Sequence, residues 1–475
     1  MTQPSIKENF AYKSVLTLST YLIAFVTFPY VSRVLGVERV GLVNFADNTI
    51  GYFLLFATMG VNILGVREIA AVKEDPERRA RVFSNILGLN LMFTAVTLAV
   101  FLALVAAVPK LHQHAGLFYI GTAKILFSAF LVEWFFTGIE QFRYITLRSI
   151  AVKVLYVASV FLFVRRPEDY RLYFILTVGV VVVNALVNTA YVRRYVRIRR
   201  RDLSGTNYVR RNLLLGVYSI MSAMYLTFNV MFLGFVADDT QVGYYTTAFK
   251  LYTVILGFFT AFTNVMLPRM STLLAGGEQE RFHALIDRSF RAMCLFSIPM
   301  IVCSIILAPQ IIHLLAGPGY EGAILPMRLI MPAVLPVGIA QVLAIQVLMP
   351  MKRDRALLTA SILGAAVSLA INIALVPRMQ SIGTALVLLG AETTVTTAYV
   401  TYTLRHGLTR LPFDAIGRNL LISLAPAAVC LACARGIAHP LLALGTALPC
   451  SVLVWAAICY RTGQLSGLLR FGKTK

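Results

Sequence analysis

Long apolar runs, separated by short charged or turn segments, extend along almost the whole chain. With charged and turn residues as boundaries, and at about 20 residues for each crossing of a bilayer, the pattern predicts about fourteen spans. They lie at residues 10–33, 41–64, 82–107, 116–138, 147–164, 170–191, 213–236, 243–267, 290–314, 326–349, 356–377, 382–404, 418–437 and 439–460. We therefore predict an all-α polytopic membrane protein.

The composition agrees with a membrane protein and excludes several other classes. Of the 475 residues, 58% are hydrophobic and 13% are charged, and the mean hydropathy is +0.76. Soluble domains are about 25% charged. The net charge of +22 is therefore not that of a nucleic-acid-binding domain, and a secreted enzyme is also excluded. Because no small-residue cleavage site follows the first apolar run, that run predicts a span and not a signal peptide.

The basic residues are distributed unequally between alternate loops. About 31 of the 43 Lys and Arg residues, Arg143 and Arg148 among them, lie on one side, which makes that side cytoplasmic by the positive-inside rule. Both termini then lie in the cytoplasm, which requires an even number of spans. The densest basic segment, VRRYVRIRRRDLSG at 192–205, has two compatible interpretations. It collects anionic lipid or pyrophosphate headgroups, or it is a linker that sets the topology.

A segment near the N-terminus resembles a second segment in the middle of the chain. VGLVNFADNTIGYFLLFATMGVNILGVRE aligns with VGYYTTAFKLYTVILGFFTAFTNVMLPRM, which pairs Gly41 with Gly243 and Asn62 with Asn264. Both segments run from outside to inside, so the pattern predicts two six-helix lobes in a parallel pseudo-twofold repeat, a transporter architecture. The predicted organisation is an N-lobe (spans 1–6) at 1–200, a basic cytoplasmic linker at 201–212, a C-lobe (spans 7–12) at 213–405, and two further helices with a cytoplasmic tail at 406–475.

Ionisable groups inside the predicted spans are few, and such groups usually face a cavity or a partner. They are Asp47, Lys124, Glu133, Lys153, Lys250 and Glu392. Asp47 lies roughly 10 Å below the outer end of the second span, at 1.5 Å per residue. Lys250 aligns with Asn48 of the repeat and lies at the same depth in the eighth span. We hypothesise that Lys250, with Arg33, contacts an anionic substrate, and that Asp47 is its partner when the site is empty. In the alternative interpretation Lys250 extends to the membrane surface or forms a structural ion pair.

The candidate site follows from these groups and from nearby amides and aromatic rings. The candidate substrate-binding residues are Arg33, Asn44, Asp47, Asn48, Tyr244, Lys250, Tyr252 and Asn264. The candidates for ion coupling or for a structural role are Glu133, Asn229 and Glu392. The six cysteines lie in apolar runs and predict helix packing, so we expect neither a catalytic nor a metal site.

Several segments resemble the bacterial oligosaccharide flippases of the multidrug/oligosaccharidyl-lipid/polysaccharide exporter superfamily. TFPYVSRVLGVERVGLVNFADNTIGYFLLFATMGVNILGVREIA (27–70) resembles their first two spans, LVEWFFTGIEQF (131–142) the fourth, VGYYTTAFKLYTVI (242–255) the eighth and VLAIQVLMP (342–350) the tenth. The resemblance implies fourteen helices, a cationic central cavity, and alternating access that moves undecaprenyl-pyrophosphate-linked O-antigen or capsule units to the periplasmic leaflet of the inner membrane. Arg33 and Lys250 match basic positions of the family. Many relatives carry an Asp-Lys pair where this chain has Asn229 and Val230.

Three other functions remain open. A cation-coupled drug or metabolite antiporter of the same superfamily would need buried carboxylates and few basic groups in its cavity, and Lys250 and Arg33 argue against it. A membrane glycosyltransferase or polymerase generally needs a long outer loop, whereas every predicted outer loop is short. A scaffold for sugar-assembly proteins has no test in the sequence.

The sequence has no GxxxxGK nucleotide-binding loop, so a transporter would draw its energy from an ion gradient, the membrane potential or substrate flow. We expect no cofactor and no enzymatic activity, and the coupling ion, Na⁺ or H⁺, stays open. The expected partners are the lipid-linked oligosaccharide, membrane lipids, and a polysaccharide polymerase or other glycan-assembly proteins. We expect a monomer that binds no nucleic acid.

Overall fold

The computed structural model describes residues 6–203 and 205–464. These residues form helices and connecting turns without a β-strand, which confirms the predicted all-α class. Eleven helices in this part of the chain are long and apolar enough to cross a membrane. One of them, Asp354–Arg405, covers two of the predicted spans, and another, Phe25–Ala71, covers the second predicted span and the end of the first. The protein is therefore a multi-pass membrane protein.

The chain divides into two compact units, Met1–Gly243 and Tyr244–Lys475. The α-helices of the first unit are α1 (Ile6–Thr58), α2 (Val61–Ala71), α3 (Pro76–Ala107), α4 (Pro109–Gln113), α5 (Ala115–Ser128), α6 (Glu133–Gly138), α7 (Phe142–Phe163), α8 (Tyr170–Val192) and α9 (Val209–Val236). Helix α10 (Asp239–Ala275) begins in the first unit and continues in the second. Helix α9 thus belongs to unit 1 here, and the lobe boundaries drawn from the sequence stay a prediction.

Helix α1 contains both of the first two predicted spans, separated at Gly36. The backbone of Gly36 has φ 75° and ψ 168°, a conformation that side chains with a Cβ rarely adopt. A Cβ at this position would have no atom within 4 Å, so the backbone angle and not crowding explains the glycine. The kink lies between the two apolar runs, where the sequence placed the outer turn.

The predicted fourth span is interrupted. Helix α5 ends at Ser128 and α6 begins at Glu133, with Val132 between them at φ 38°. A β-branched residue at positive φ is a genuine outlier, and the apolar pattern of the sequence gave no sign of it. The break puts Glu133 in the first turn of a short helix, where its charge is favoured by the helix dipole.

Unit 2 contains one irregular span and one long kinked helix. Its further α-helices are α11 (Gln279–Ile306), α12 (Ala308–Ala316), α13 (Ile324–Ile330), α14 (Val334–Gln341), α15 (Asp354–Arg405), α16 (Asp414–Gly436) and α17 (Pro440–Arg461). The tenth predicted span consists of α13, a 3-10 turn, α14 and a π-helical turn, Val342–Leu348. Helix α15 bends at Gln380, which has φ 50°, between the eleventh and twelfth predicted spans.

An aromatic cluster forms the main contact between α2, α3 and α6. Phe83 stacks on Trp134 at 5.4 Å and meets Phe135 edge-on at 5.1 Å. Gly65 lies against the indole, because a Cβ there would be 2.5 Å from a Trp134 ring carbon. This cluster fixes the interrupted fourth span, and with it Glu133, against α2 and α3.

Candidate functional site

Helix α1 presents three of the candidate residues about two to three turns after the kink. Asp47 accepts a hydrogen bond from Lys124 Nζ of α5 at 2.6 Å. The side chains are 33% and 14% exposed, respectively. Asn44 donates to Val40 O and Asn48 donates to Asn44 O, both at 2.8 Å. The amides thus bind the backbone of their own helix, while the carboxylate is neutralised by a neighbouring helix.

The partner of Asp47 in the structure is therefore Lys124. The sequence analysis placed Lys124 in the membrane without a role and proposed Lys250 as the partner. The contact joins two helices that are distant in sequence, and neither the repeat nor the helical period could have indicated it. Asp47 and Lys124 are held by α1 and α5, which pack along each other in unit 1.

A second ion pair holds α6 against α7. Arg148 Nη2 donates to Glu133 Oε1 at 2.5 Å, and Arg148 Nη1 donates to Asn188 Oδ1 of α8. Asn188 in turn donates to Leu131 O and accepts from the Tyr144 hydroxyl at 3.0 Å. A guanidinium that is only 7% exposed needs such partners, because burying an uncompensated charge is costly.

Arg148 is thus a correction to the charge analysis. The sequence analysis counted it among the cytoplasmic loop cations, but it lies in α7, buried between three helices. In the sequence, the burial of Arg148 was indicated by its position inside an apolar run, next to Ser149. The side predicted to be cytoplasmic therefore has one loop cation fewer, and it still carries most of the basic residues.

Lys153 adds a further basic group on α7. Its Nζ donates to Thr20 Oγ1 of α1 at 2.6 Å. A basic side chain inside an apolar helix is costly unless it has polar partners, and this hydroxyl supplies one. Lys153 was among the intramembrane groups of the sequence analysis but had no assigned role.

Arg33 lies one turn before the kink of α1. Its side chain is exposed, and Nη1 donates to Pro29 O at 2.7 Å. This carbonyl lies four residues back on the same helix, so the guanidinium follows the helix surface. Arg33 is a suitable anion ligand in this position.

Unit 2 contains a carboxyl group in a different setting. Glu392 of α15 is 3% exposed, and its Oε1 accepts from the Tyr252 hydroxyl of α10 at 3.4 Å. Tyr252 is fully buried, and its ring stacks on Phe249 at 5.2 Å. In the described part of unit 2, no basic side chain forms an ion pair with this carboxyl group.

The remaining candidates occupy separate positions. Lys250 and Tyr244 are half-buried on α10, and the Tyr244 ring lies on Gly322, where a Cβ would be 2.3 Å from a ring carbon. Asn229 is fully buried on α9. The Asn264 side chain lies outside those that the structure describes. The assignment of all eleven candidates to substrate binding or coupling stays a prediction.

The structure also shows a charged cluster at the end of unit 1 where the Gly36 kink lies. His114 Nε2 lies 3.8 Å from Asp239 Oδ2, and Lys110 Nζ donates to Ala237 O at 3.2 Å. Burial lowers the pKa of His114, and the positive charges of Lys110 and Arg39 lower this pKa further. The carboxylate of Asp239 raises it, but by less than burial lowers it.

Close backbone packing accompanies that cluster. A Cβ at Gly41 would lie 1.7 Å from Asp239 O, and a Cβ at Gly243 would lie 2.4 Å from Val37 O. Only glycine allows the start of α10 to approach α1 this closely. The two glycines that the sequence repeat aligned, Gly41 and Gly243, therefore both lie at the contact between α1 and the start of α10.

Comparisons with known proteins address the function. The family described as "Polysaccharide biosynthesis protein" matches residues 6–274. A protein of Escherichia coli K12 named "Putative O-antigen transporter" is 25% identical over 396 residues, which cover 82% of this chain and 95% of the relative. A protein of the same name from Shigella dysenteriae is 22% identical over 372 residues, 77% of this chain and 91% of the relative.

Solved structures with the same fold include two transporters. The lipid II flippase MurJ, in an inward closed conformation, has a TM-score of 0.76 at 14% identity, and the match covers 94% of this chain and 98% of MurJ. An inward-facing multidrug resistance MATE family transporter of the MOP superfamily has a TM-score of 0.58 at 13% identity, over 83% of this chain and 98% of that one. At these identities the similarity establishes the fold alone.

Proposed function

The chain belongs to the polysaccharide biosynthesis protein family, and from this premise we propose that it moves lipid-linked oligosaccharides across the bacterial inner membrane. The resemblance to the exporter superfamily, inferred from the sequence, is confirmed, and the protein is a transporter of this superfamily with its all-helical fold. The proposed cargo is the undecaprenyl-pyrophosphate-linked repeat unit, which passes from the cytoplasmic to the periplasmic leaflet by alternating access.

The charge balance of unit 1 supports an anionic cargo. Its intramembrane carboxylates Asp47 and Glu133 are both paired, with Lys124 and Arg148 respectively. Lys153, whose Nζ donates to the hydroxyl oxygens of Thr20 and Ser19, and the exposed Arg33 are further basic side chains of this unit. A pyrophosphate that crosses a low-dielectric layer needs such basic donors.

The same observation argues against the antiporter of cationic drugs. A cationic cargo needs carboxylates that can exchange one cation for another. In unit 1 both carboxylates already hold a basic side chain of the protein itself. Displacing that side chain would leave a buried cation such as Arg148 uncompensated, which is costly.

The experiment is translocation in proteoliposomes. A lipid-linked oligosaccharide with a fluorescent sugar is incorporated, and its arrival in the opposite leaflet is read by quenching with an impermeant reagent. We expect Lys250→Ala and Arg33→Ala each to reduce the rate about tenfold or more, as for the loss of one charge-assisted hydrogen bond of about 1.5–3 kcal/mol.

Arg378→Ala is the matched control, because Arg378 is exposed at the surface of α15 and has the same charge. Its rate should equal that of the wild type. Wild-type rates in both Lys250→Ala and Arg33→Ala would contradict the assignment of these residues to the cargo.

We further propose that Glu392 carries the coupling proton. Intramembrane carboxyl groups without a basic partner are typical of proton relays, and the Tyr252 hydroxyl can bind either protonation state. This proposal places coupling at Glu392 and not at Asn229, where this chain lacks the Asp-Lys pair that the family resemblance implies. Both termini are proposed to be cytoplasmic, and a polymerase is the proposed partner on the receiving side.

A further inference from the structure

The basic segment between α8 and α9 is docked on α3. Arg79 donates to Tyr195 O at 3.0 Å and to Lys73 O at 2.7 Å, and the backbone N–H of Arg199 donates to Ser84 Oγ at 2.9 Å. These contacts join the segment to the first three turns of α3. The backbone of the segment is therefore fixed on α3 at Tyr195 and at Arg199.

Two glycines allow the close approach. A Cβ at Gly88 would lie 1.9 Å from Leu203 O. Gly205, at φ 59°, lies over α3, where a Cβ would be 2.7 Å from Asn85 O. The segment follows α3 as part of unit 1 up to the start of α9.

This docking creates a basic cavity. It has a volume of about 540 Å³ and is lined by Arg81, Arg199, Arg201 and Asp202. A volume of this size lies within the range of about 300–1,000 Å³ that small-molecule sites occupy. Arg199 also lies 3.3 Å from Glu77, whose side chain is 80% exposed, and this surface pair is weak because both groups are hydrated.

Three arginines in one cavity exceed what a topology signal requires. The positive-inside rule depends only on the number of basic residues near a span, and arginines on a flexible loop would satisfy it. Here the fold brings guanidinium groups of α3 and of the docked segment together around a common space. Like charges repel one another, and a bound anion removes that repulsion.

We propose that this cavity binds a phosphate group, as found in a phospholipid headgroup, in a polyprenyl pyrophosphate or in free pyrophosphate. The guanidinium group presents a planar fork of donors that matches phosphate oxygens bidentately. Asp202 disfavours excess negative charge and limits the site to ligands that reach at least two arginines. The site lies at the end of α3 that the charge distribution assigns to the cytoplasm and does not depend on the proposed transport function.

The test is binding of inorganic pyrophosphate to the full chain in nanodiscs of neutral phosphatidylcholine, measured by titration calorimetry. The variant replaces the three lining residues, Arg81→Gln, Arg199→Gln and Arg201→Gln. The matched control replaces three exposed arginines elsewhere, Arg353→Gln, Arg355→Gln and Arg405→Gln, and removes the same charge. We expect the first set to weaken binding at least tenfold and the control to change it less than twofold.

A second variant keeps the test informative if the triple variant folds poorly. Asp202→Asn leaves the arginines in place and removes the opposing carboxylate, so pyrophosphate should bind about threefold or more tightly. Unchanged affinity in both the triple variant and Asp202→Asn would overturn the proposal. Equal loss in the control set would also overturn it, because general surface charge would then explain the binding.

Competition distinguishes the source of the phosphate. Pyrophosphate binding is repeated in nanodiscs that contain phosphatidylglycerol, and in nanodiscs that contain undecaprenyl pyrophosphate. Weaker pyrophosphate binding in the first assigns the site to bilayer headgroups, and weaker binding only in the second assigns it to the polyprenyl lipid. Competition by neither supports a site for soluble phosphate compounds.

Discussion

In unit 1 the intramembrane carboxylates of Asp47 and Glu133 are within hydrogen-bond distance of Lys124 and Arg148, whereas in unit 2 Glu392 contacts a tyrosine hydroxyl. Each arrangement suits a different task. An ion pair joins two helices, and loss of either charge would leave the other group uncompensated. A carboxyl beside a hydroxyl can gain or lose a proton without leaving a partner uncompensated. This contrast is the reason why the coupling role is proposed for Glu392 and not for the carboxylates of unit 1.

The largest effect should come from breaking the Arg148 network. Arg148→Met removes the donor to Glu133 and one of the two donors to Asn188 Oδ1, and it should destabilise the protein by about 3 kcal/mol. This is the lower end of the range for a broken buried pair, because Glu133 is 47% exposed. Thermal unfolding in detergent measures it. Arg143→Met, at an exposed position of the same helix, should change little, and equal effects of the two variants would refute the network.

A smaller effect is expected at the other ion pair of unit 1. Lys124→Met and Asp47→Asn should each destabilise by about 1–2 kcal/mol, and the double variant by less than the sum, as for residues in contact. A double-mutant cycle on the unfolding temperature gives the coupling energy. Additive effects would show that the two side chains do not stabilise each other.

Glu392→Gln should differ from the variants of both ion pairs, because it should change transport and leave stability almost unchanged. The amide oxygen can still accept from Tyr252, and no basic side chain loses a partner, so stability should change by less than about 1 kcal/mol. Transport should lose its response to an imposed pH gradient, which proteoliposomes with acidic and neutral interiors measure. Tyr252→Phe is the companion variant, and it should retain the response. A wild-type response to the pH gradient in Glu392→Gln would contradict the proposal that this carboxyl group, unlike those of unit 1, carries the coupling proton.

The smallest effect concerns a third arrangement, an acid beside a titratable base. Burial holds the pKa of His114 below its ordinary value, against the opposing charge of Asp239 and together with Lys110 and Arg39. The unfolded chain, with an ordinary pKa of about 6.5, binds the proton more tightly. Stability should therefore be complete above about pH 6.5 and should decrease as the pH falls below it.

Unfolding temperatures of the wild type and His114→Gln between pH 5 and pH 7.5 test the predicted direction of this pH dependence. The wild type should lose more stability than the variant at the acidic end. Parallel curves would mean that His114 does not contribute.

The positions of the helices could largely be read from the sequence, and the pairing of polar groups could not. Apolar runs bounded by charges predicted a turn between residues 33 and 41, and the structure has the Gly36 kink in this interval. The break at Val132 was not predictable, since a valine at positive φ depends on tertiary packing around Trp134. Asp47 and Lys124 were both recognised as intramembrane groups, but their contact depends on how α1 and α5 pack. Arg148 was misplaced because a count of loop charges ignores burial at the end of a helix.

Transport of two cargoes by one preparation tests the central proposal most directly. Wild-type proteoliposomes are loaded in parallel with a pyrophosphate-linked oligosaccharide lipid and with a fluorescent lipophilic cation, and both translocation rates are measured against protein-free vesicles. The account predicts translocation of the anionic lipid well above the protein-free rate and no acceleration of the cation. Acceleration of the cation alone would contradict it and would identify the protein as a drug antiporter.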